Sequence, residues 1–440
     1  MTYRITVLGT GYLGATHAAC LAELGFEVLG VDVDPAKVAA LSEGQVPFFE
    51  PELEPLLRKH VESGRLRFTT SFDEAAEFGD VHFVCVGTPQ RDGEYAADMS
   101  YVDRVILSDL VPRLTRSALI VIKSTVPVGT TGRLAEGVAG LVGDQGDVEL
   151  AFSPEFTREG LAVEDTLRPN RLVFGVRTER TEKMLRDVFA AQIEAGTPVV
   201  VSDYATAELV KAAANAFLAT KISYINTMAE LCDVSGGDVT VLADALGYDD
   251  RIGRKFLDAG LGYGGGCLPK DLRAFMARAG ELGAEEALTF LREVDAINLR
   301  RRQKVVDVAA EILDNQWIGK KVAVLGAAFK ANTDDIRDSP ALNVAGRIHL
   351  HGALVSVYDP KAMDNARRSF PTLRYASSVM EACRGAHLVL HLTAWQEFRE
   401  LDPAVLSQVV ADRKVLDGQN CLDRETWRGA GWTYRGLGRP

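Results

Sequence analysis

The sequence predicts an α/β protein in which two doubly wound parallel-sheet domains are joined by a central, mostly helical domain with a long helix. Three observations carry that reading. Short apolar runs alternate with Ala/Leu/Glu-rich helical stretches from Tyr3 onward. The alternation stops near Asp203, and it restarts after Asp314. The expected domains are therefore residues 1–202, 203–314 and 315–440. A chain of 440 residues, 47% hydrophobic and 25% charged, can fill two or three such cores.

In the first domain the strand-length runs are Tyr3–Leu8, Glu27–Val31, Val81–Val86, Ala118–Ile122 and Val148–Phe152. Their near-continuous apolar character fits a parallel sheet buried on both faces. Leu172–Val176 and Pro198–Val201 read as further strands that close this part. Ala205–Leu231 contains no Gly or Pro and is far longer than a strand, so it predicts a long helix. The Gly-rich segment Gly260–Gly266 follows, and then a helical stretch through Arg302. The last domain offers strands at Lys321–Gly326, Leu354–Tyr358 and His387–Leu392, with a helix over Ala341–His351.

Composition excludes several classes. A formal charge of −12, with no long basic run, argues against nucleic acid as a partner. Six cysteines without paired short spacings suggest thiols in a reducing compartment. Ile5–Ala22 carries no charged side chain and mimics a signal peptide or short membrane span, yet three glycines and a histidine interrupt it. We read a strand, a glycine turn and a helix start there, with no membrane segment and a cytoplasmic location. His387 and His391 share a strand face, and His349 and His351 lie near Cys383. No metal-binding motif accompanies them, so packing histidines are expected and no metal.

The first strand runs into Gly9-Thr10-Gly11-Tyr12-Leu13-Gly14 and then a helix. The first glycine serves the tight turn, the second lets backbone approach a pyrophosphate, and the third allows close helix–strand packing. Asp32 ends the second strand, about 20 residues on. A carboxylate there accepts from a ribose 2′-OH and repels a 2′-phosphate, which favours NAD as cofactor, although Lys37 nearby could tolerate a phosphate. Gly87-Thr88-Pro89 and Ser124-Thr125-Val126-Pro127 sit at strand C-termini facing the same crevice.

Gly262 to Asp271 is the most informative stretch. Pro269 suits a first helical turn, which would place Cys267 just before a helix N-terminus with Lys270 close by. Both features favour a thiolate, so Cys267 is a candidate nucleophile, whereas the other cysteines lie in helical or strand-like apolar contexts. Lys211 and Asn215, four apart on the long helix, could hydrogen-bond a developing oxyanion or form a solvated edge. Glu155 and Glu159 follow the end of a strand, as reacting carboxylates or as ordinary surface acids.

In this order the motifs resemble those of the nucleotide-sugar 6-dehydrogenase family, which acts on UDP-glucose, GDP-mannose and related sugars. The resemblance covers nearly the whole chain. It runs through the N-terminal fingerprint, Val86-Gly87-Thr88-Pro89, Ser124 to Gly129, Ser153-Pro154-Glu155-Phe156 and Lys211/Asn215. It continues through Asp250-Arg251-Ile252-Gly253, Gly264 to Asp271, and Phe329-Lys330 with Arg337. The cysteine motif is its most specific member.

The resemblance implies two Rossmann-like domains, a long helix that pairs subunits in a homodimer or higher homo-oligomer, and a C-terminal domain that holds the uridine nucleotide. It implies an NAD-dependent four-electron oxidation of UDP-glucose to UDP-glucuronate, a precursor for polysaccharides, with release of two NADH. Cys267 would be the nucleophile, with Lys211 and Asn215 stabilising oxyanions. Asp271 and Thr125 would position water, and Glu159 would assist proton transfer. Gly9, Gly11, Tyr12, Leu13, Gly14, Asp32, Lys37, Thr88, Thr125, Glu159, Lys270 and Arg337 match cofactor positions. Glu155, Phe156, Lys211, Asn215, Arg251, Phe256, Leu257, Gly260, Gly264 and Lys330 match substrate positions.

Three positions depart from the family pattern: Gly266 replaces a serine, Asn170 an aspartate, and Ser153 an asparagine. The alternatives are a GDP-mannose or UDP-N-acetylhexosamine enzyme, or a non-enzymatic NAD sensor. Pro269-Lys270-Asp271 argues against the N-acetylhexosamine branch, and Arg158-Glu159-Gly160 resembles the glucose type.

Overall fold

The computed structural model describes residues 3–143 and 147–439. It divides into two compact units, Met1–Ala214 with Arg273–Gly283, and Asn215–Leu272 with Ala284–Pro440. No helix among the described residues is long and apolar enough to cross a membrane.

The first unit holds an eight-stranded sheet: β1 (Arg4–Leu8), β2 (Glu27–Val31), β3 (Leu66–Thr69), β4 (Val81–Val84), β5 (Ala118–Ile122), β6 (Val148–Phe152), β7 (Leu172–Gly175) and β8 (Val199–Ser202). Their order is β3-β2-β1-β4-β5-β6-β7-β8. The order reverses between β1 and β4, which makes their C-terminal ends the ligand crevice of a doubly wound sheet. Every residue of β4 and β5 is buried, because helices cover both faces.

Two expectations need correction. The sheet is not wholly parallel: β7 meets β6 antiparallel, through Phe152 and Gly175. Between them the chain carries only the short helix Ala162–Leu167. The chain between β6 and β7 therefore stays at the crevice end, and Glu155 and Glu159 lie in that connection. Nor is burial complete, since β8 is an edge strand with Val200 and Val201 exposed.

The helix α1 (Tyr12–Glu23) buries Gly14 through Ala22 in a row against the sheet. So close a fit leaves no room at Gly14. A Cβ there would stand 1.8 Å from the Gly9 carbonyl oxygen and 3.3 Å from Cys85 Cβ. Gly9 itself has φ +89°, a left-handed turn that suits glycine.

The long helix spans Tyr204–Ser235, slightly beyond the predicted limits. In the second unit its later turns pack Ile225, Ala229 and Cys232 against Val239, Ala243, Leu257 and Ala259. The second sheet contains β9 (Lys321–Leu325), β10 (Leu354–Tyr358), β11 (Arg374–Tyr375), β12 (Leu388–His391), β13 (Lys414–Asp417) and β14 (Thr433–Gly436). Its order, β11-β10-β9-β12-β13-β14, is wholly parallel.

Gly14→Ala tests the α1 fit. Overpacking of this kind costs about 1–3 kcal/mol. We expect the thermal midpoint to fall by roughly 2–4 °C per kcal/mol; an unchanged midpoint would show that α1 can shift freely on the sheet.

Candidate functional site

The fingerprint loop leaves an open helix N-terminus. Gly11 precedes α1 with no side-chain cap, and nothing lies within 4 Å of where its Cβ would point. Backbone N–H groups are thus available to an anion. At the end of β2 the buried Asp32 carboxylate accepts from Thr10 N at 2.9 Å, Thr10 Oγ1 at 3.0 Å and Lys37 Nζ at 2.8 Å. Burial pushes this carboxyl up, but the bonds from Lys37, Thr10 and Asp34 outweigh it and hold the group below its ordinary range. Asp32 is therefore an anion, and Lys37 is bound to it rather than free for a phosphate. These features fit the ribose hydroxyls and pyrophosphate of NAD.

The next strand ends are tied together. Thr88 Oγ1 donates to the Thr125 carbonyl at 2.9 Å, and Ser124 Oγ to the Val86 carbonyl at 2.6 Å. After β6, Glu155 accepts from Lys211 Nζ at 2.9 Å and from Thr157 N at 2.6 Å. Both side chains of the ion pair are nearly buried. Burial pushes the Glu155 carboxyl up, yet the Lys211 charge and the Thr157 bonds hold it below the usual range. Phe156 packs beneath two cations, with Arg171 3.7 Å and Lys211 5.5 Å from its ring. The Arg158-Glu159-Gly160 turn is held by Glu50, which accepts from Gly160 N at 2.6 Å and Ala162 N at 2.7 Å.

In the second unit Cys267 immediately precedes the helix Leu268–Glu281. It is the exposed cysteine of the six. Burial pushes the thiols of Cys20, Cys85, Cys383 and Cys421 up to about 12, and raises Cys232 as well. Cys421 departs from expectation, since it sits in the loop after β13 rather than in a helix or strand. A helix N-terminus favours negative charge, which suits a thiolate at Cys267. One turn on, buried Asp271 accepts from Asn215 Nδ2 at 2.7 Å and from Lys270 Nζ at 2.5 Å. Asn215 is therefore no solvated edge.

The glycines before the thiol are tightly enclosed. Gly265 N donates to the Arg337 carbonyl at 2.9 Å. A Cβ on Gly266 would stand 2.2 Å from the Arg337 guanidinium carbon. Where the family has a serine side chain, the Arg337 guanidinium fills the space. Phe329 packs against Gly265, and Lys330 lies 5.9 Å from the Phe329 ring. Phe256 adopts φ +67°, Leu257 is buried, and Gly260 N donates to Asn226 Oδ1 at 2.9 Å. Arg251 is turned to solvent and paired with Asp249 at 2.7 Å.

The predicted residues therefore fall on both units. Thr88, Thr125, Glu155, Glu159 and Lys211 lie in the first, and Asn215, Cys267, Lys270, Asp271, Lys330 and Arg337 in the second. Sequence reasoning missed Thr10, Glu50 and Asn226, whose contacts lie 22, 110 and 34 residues away and leave no spacing signal, and Thr157, which donates to Glu155 two residues before it. His391, Asp417 and Cys421 cluster in the second unit. Asp417 already accepts from His391 Nδ1, Leu422 N and the Tyr434 hydroxyl.

Models of one family match the chain in three consecutive parts. Residues 3–193 match the NAD binding domain of the UDP-glucose/GDP-mannose dehydrogenase family, 205–300 its central domain, and 323–424 its UDP binding domain. A relative from Rhizobium meliloti, named UDP-glucose 6-dehydrogenase, is 39% identical across 99% of this chain and 100% of its own length. The structure of a UDP-glucose dehydrogenase from Pyrobaculum islandicum superposes with a TM-score of 0.91 at 37% identity, covering 100% of this chain and 98% of that one. A UDP-D-ManNAc dehydrogenase from Pyrococcus horikoshii gives 0.86 at 27% identity, covering 99% of each chain. With its fingerprint, its Asp32 carboxylate and its exposed thiol in place, the chain belongs to the UDP-glucose/GDP-mannose dehydrogenase family and is an NAD-dependent oxidoreductase.

Proposed function

We propose that the protein oxidises UDP-glucose to UDP-glucuronate through a covalent bond to Cys267. The observation that carries this reading is the exposed thiol at a helix N-terminus, one turn from the Asn215–Asp271–Lys270 chain. When bound, NAD supplies the hydride acceptor, used twice for each sugar. The thiol answers a chemical need. An aldehyde at C6 is planar and has no alkoxide to expel a hydride. Addition of the Cys267 sulfur gives a tetrahedral thiohemiacetal that has one, and its oxidation leaves a thioester. Water then adds at the thioester carbonyl, the C–S bond breaks, and the thiolate returns to Cys267.

The remaining roles follow from chemistry and position. Lys211 and Asn215 donate to the oxyanions formed on addition. Asp271, an acceptor, and Thr125, a hydroxyl, orient water, and Glu159 takes up a proton. Thr88, Lys270 and Arg337 contact the dinucleotide. Glu155, Phe156, Arg251, Phe256, Leu257, Gly260, Gly264 and Lys330 hold the sugar nucleotide. The working division is a dinucleotide domain over 1–202, a helical domain over 203–314 and a nucleotide-sugar domain over 315–440.

A second copy of the chain is the partner we assign to the long helix. Phe217, Tyr224 and Leu231 are exposed at seven-residue spacing and form an apolar stripe on one face, which supports a homodimer or a higher homo-oligomer. Six cysteines outside any disulfide support a reducing, cytoplasmic location. The rival substrates are GDP-mannose and a UDP-N-acetylhexosamine. The likeness to the UDP-D-ManNAc enzyme favours the latter among rivals, but its 27% identity lies below the 37% of the UDP-glucose enzyme.

Incubation with each sugar nucleotide and NAD tests the substrate. We expect two NADH per UDP-glucose consumed; one per sugar would mean a simple alcohol dehydrogenase, and none would sink the assignment. For Cys267→Ser we expect turnover to fall by at least about a thousandfold, with UDP-glucose affinity within roughly threefold of the parent. Uronate formed at an undiminished rate would remove the covalent step.

Lys211→Met strands the Glu155 charge and is expected to destabilise the protein by about 3–5 kcal/mol in denaturant titrations. Adding Glu155→Gln should restore most of it. Since the folded carboxyl titrates below its ordinary value of 4.5, this contribution is present above about that pH and vanishes as pH falls through the folded value. Equal losses in the single and double variants would contradict the pairing.

A further inference from the structure

Beneath the Ser153–Thr157 loop, the first unit contains a cavity of about 40 Å³. Its wall carries two cations, Lys123 and Arg171, and two carboxylates, Glu155 and Asp165. Lys123, just after β5, is buried, and its Nζ reaches the Ser153 carbonyl at 3.4 Å. The rings of Phe83 and Phe189 lie 6.0 and 5.5 Å from the same nitrogen. Arg171, on the same wall, stacks on Phe156. Both wall carboxylates are already engaged, Glu155 by Lys211 and Thr157, and Asp165 by the Arg158 guanidinium through two bonds. Burial lowers the pKa of the Lys123 ammonium, and Glu155 opposes this only through space, without a hydrogen bond to it. Among the described residues, no carboxylate forms an ion pair with Lys123 or Arg171.

The wall has a further unsatisfied group. His17 is 1% exposed, and neither ring nitrogen has a hydrogen-bond partner. Burial first, and then the Lys123 charge, hold its ring neutral, so it carries one N–H to donate. Asn170 completes the wall with a neutral amide. A buried cation without a partner costs several kcal/mol. The space exceeds the roughly 10–15 Å³ that one water needs.

We propose that this cavity binds one small monovalent inorganic anion, held by Lys123 Nζ, the Arg171 guanidinium and a ring N–H of His17. The anion provides the countercharge that a carboxylate at position 170 would otherwise fix in place. It also steadies the Ser153 carbonyl and Phe156, and with them the loop that carries Glu155. This inference is independent of which sugar nucleotide is oxidised.

The test uses the full chain in sodium bromide against sodium gluconate at equal ionic strength. We expect bromide to raise the thermal midpoint saturably, by about 2–4 °C, where gluconate does not. Anomalous scattering from bromide-soaked crystals should place one peak between Lys123 and His17. Asn170→Asp supplies the fixed charge without removing a wall group, and should abolish both the bromide response and the peak; Lys123→Met should do the same. Equal midpoints in the two salts, an empty cavity in the bromide crystals, or an Asn170→Asp protein that responds like the parent would each overturn the proposal. None of these readouts involves turnover, so they stand apart from the fate of the UDP-glucose assignment.

Discussion

The crevice of the first unit is organised around two charges removed from water, Lys211 and Glu155. Such a pair holds only when its remaining hydrogen-bonding capacity is met, and Thr157 does this for the second Glu155 oxygen. Glu208 lies three residues before Lys211, on the same helical face. Its buried carboxylate accepts from Gly129 N at 2.6 Å, Thr131 N at 2.8 Å and Thr131 Oγ1 at 2.6 Å. It thereby caps the Thr130–Val142 helix, whose own N-cap is a glycine with no side chain to offer. A single turn of the long helix thus fixes two strand-end loops, one bearing Thr125 and the other Glu155. Arg278 holds the first loop from another helix, donating to the Val128 carbonyl at 2.8 Å.

The two sheets share a strand order but use the acid after their second strand differently. Asp32 faces an open helix N-terminus and keeps Lys37 as its partner. Asp359, at the same place after β10, accepts from the backbone N–H groups of Ala327, Ala328, Lys361 and Ala362 and from Trp395 Nε1. Five donors, four of them backbone or indole N–H groups of buried residues, tie that carboxylate into its own turn, against four on Asp32. The same topology therefore yields a dinucleotide site in one unit and a self-satisfied turn in the other. This accords with a UDP binding domain rather than a second NAD site.

Much of this architecture was legible because buried parallel strands must be apolar throughout, and the major ones were found to within two residues. β3, β11, β13 and β14 were missed. They are short, and Arg67, Arg374 and Arg435 interrupt three of them, as befits strands at or near sheet edges. The fingerprint, Asp32 and Cys267 announced themselves through chemistry tied to local spacing. Glu50, Glu208 and Lys123 did not, because each acts on backbone or cavity groups contributed by remote parts of the chain. A carboxylate 110 residues from the amide it binds has no periodicity to betray it.

Gly266 shows what a departure from a family pattern can mean physically. Read from sequence, the change from serine is the loss of a hydroxyl beside the thiol. In the structure it is the loss of a Cβ, and the vacated volume belongs to the Arg337 guanidinium, which is itself fixed by two bonds to Asp335 at 2.8 and 2.6 Å. A serine at 266 would require the Arg337 guanidinium to leave this placement, which a long and largely exposed side chain can do. The consequence is electrostatic as well as steric, since the cation rests against the residue preceding Cys267 instead of lying one side chain further away. Sequence comparison alone would score the glycine as a gap in the motif, whereas the packing shows the Arg337 guanidinium lying where a side chain at 266 would begin.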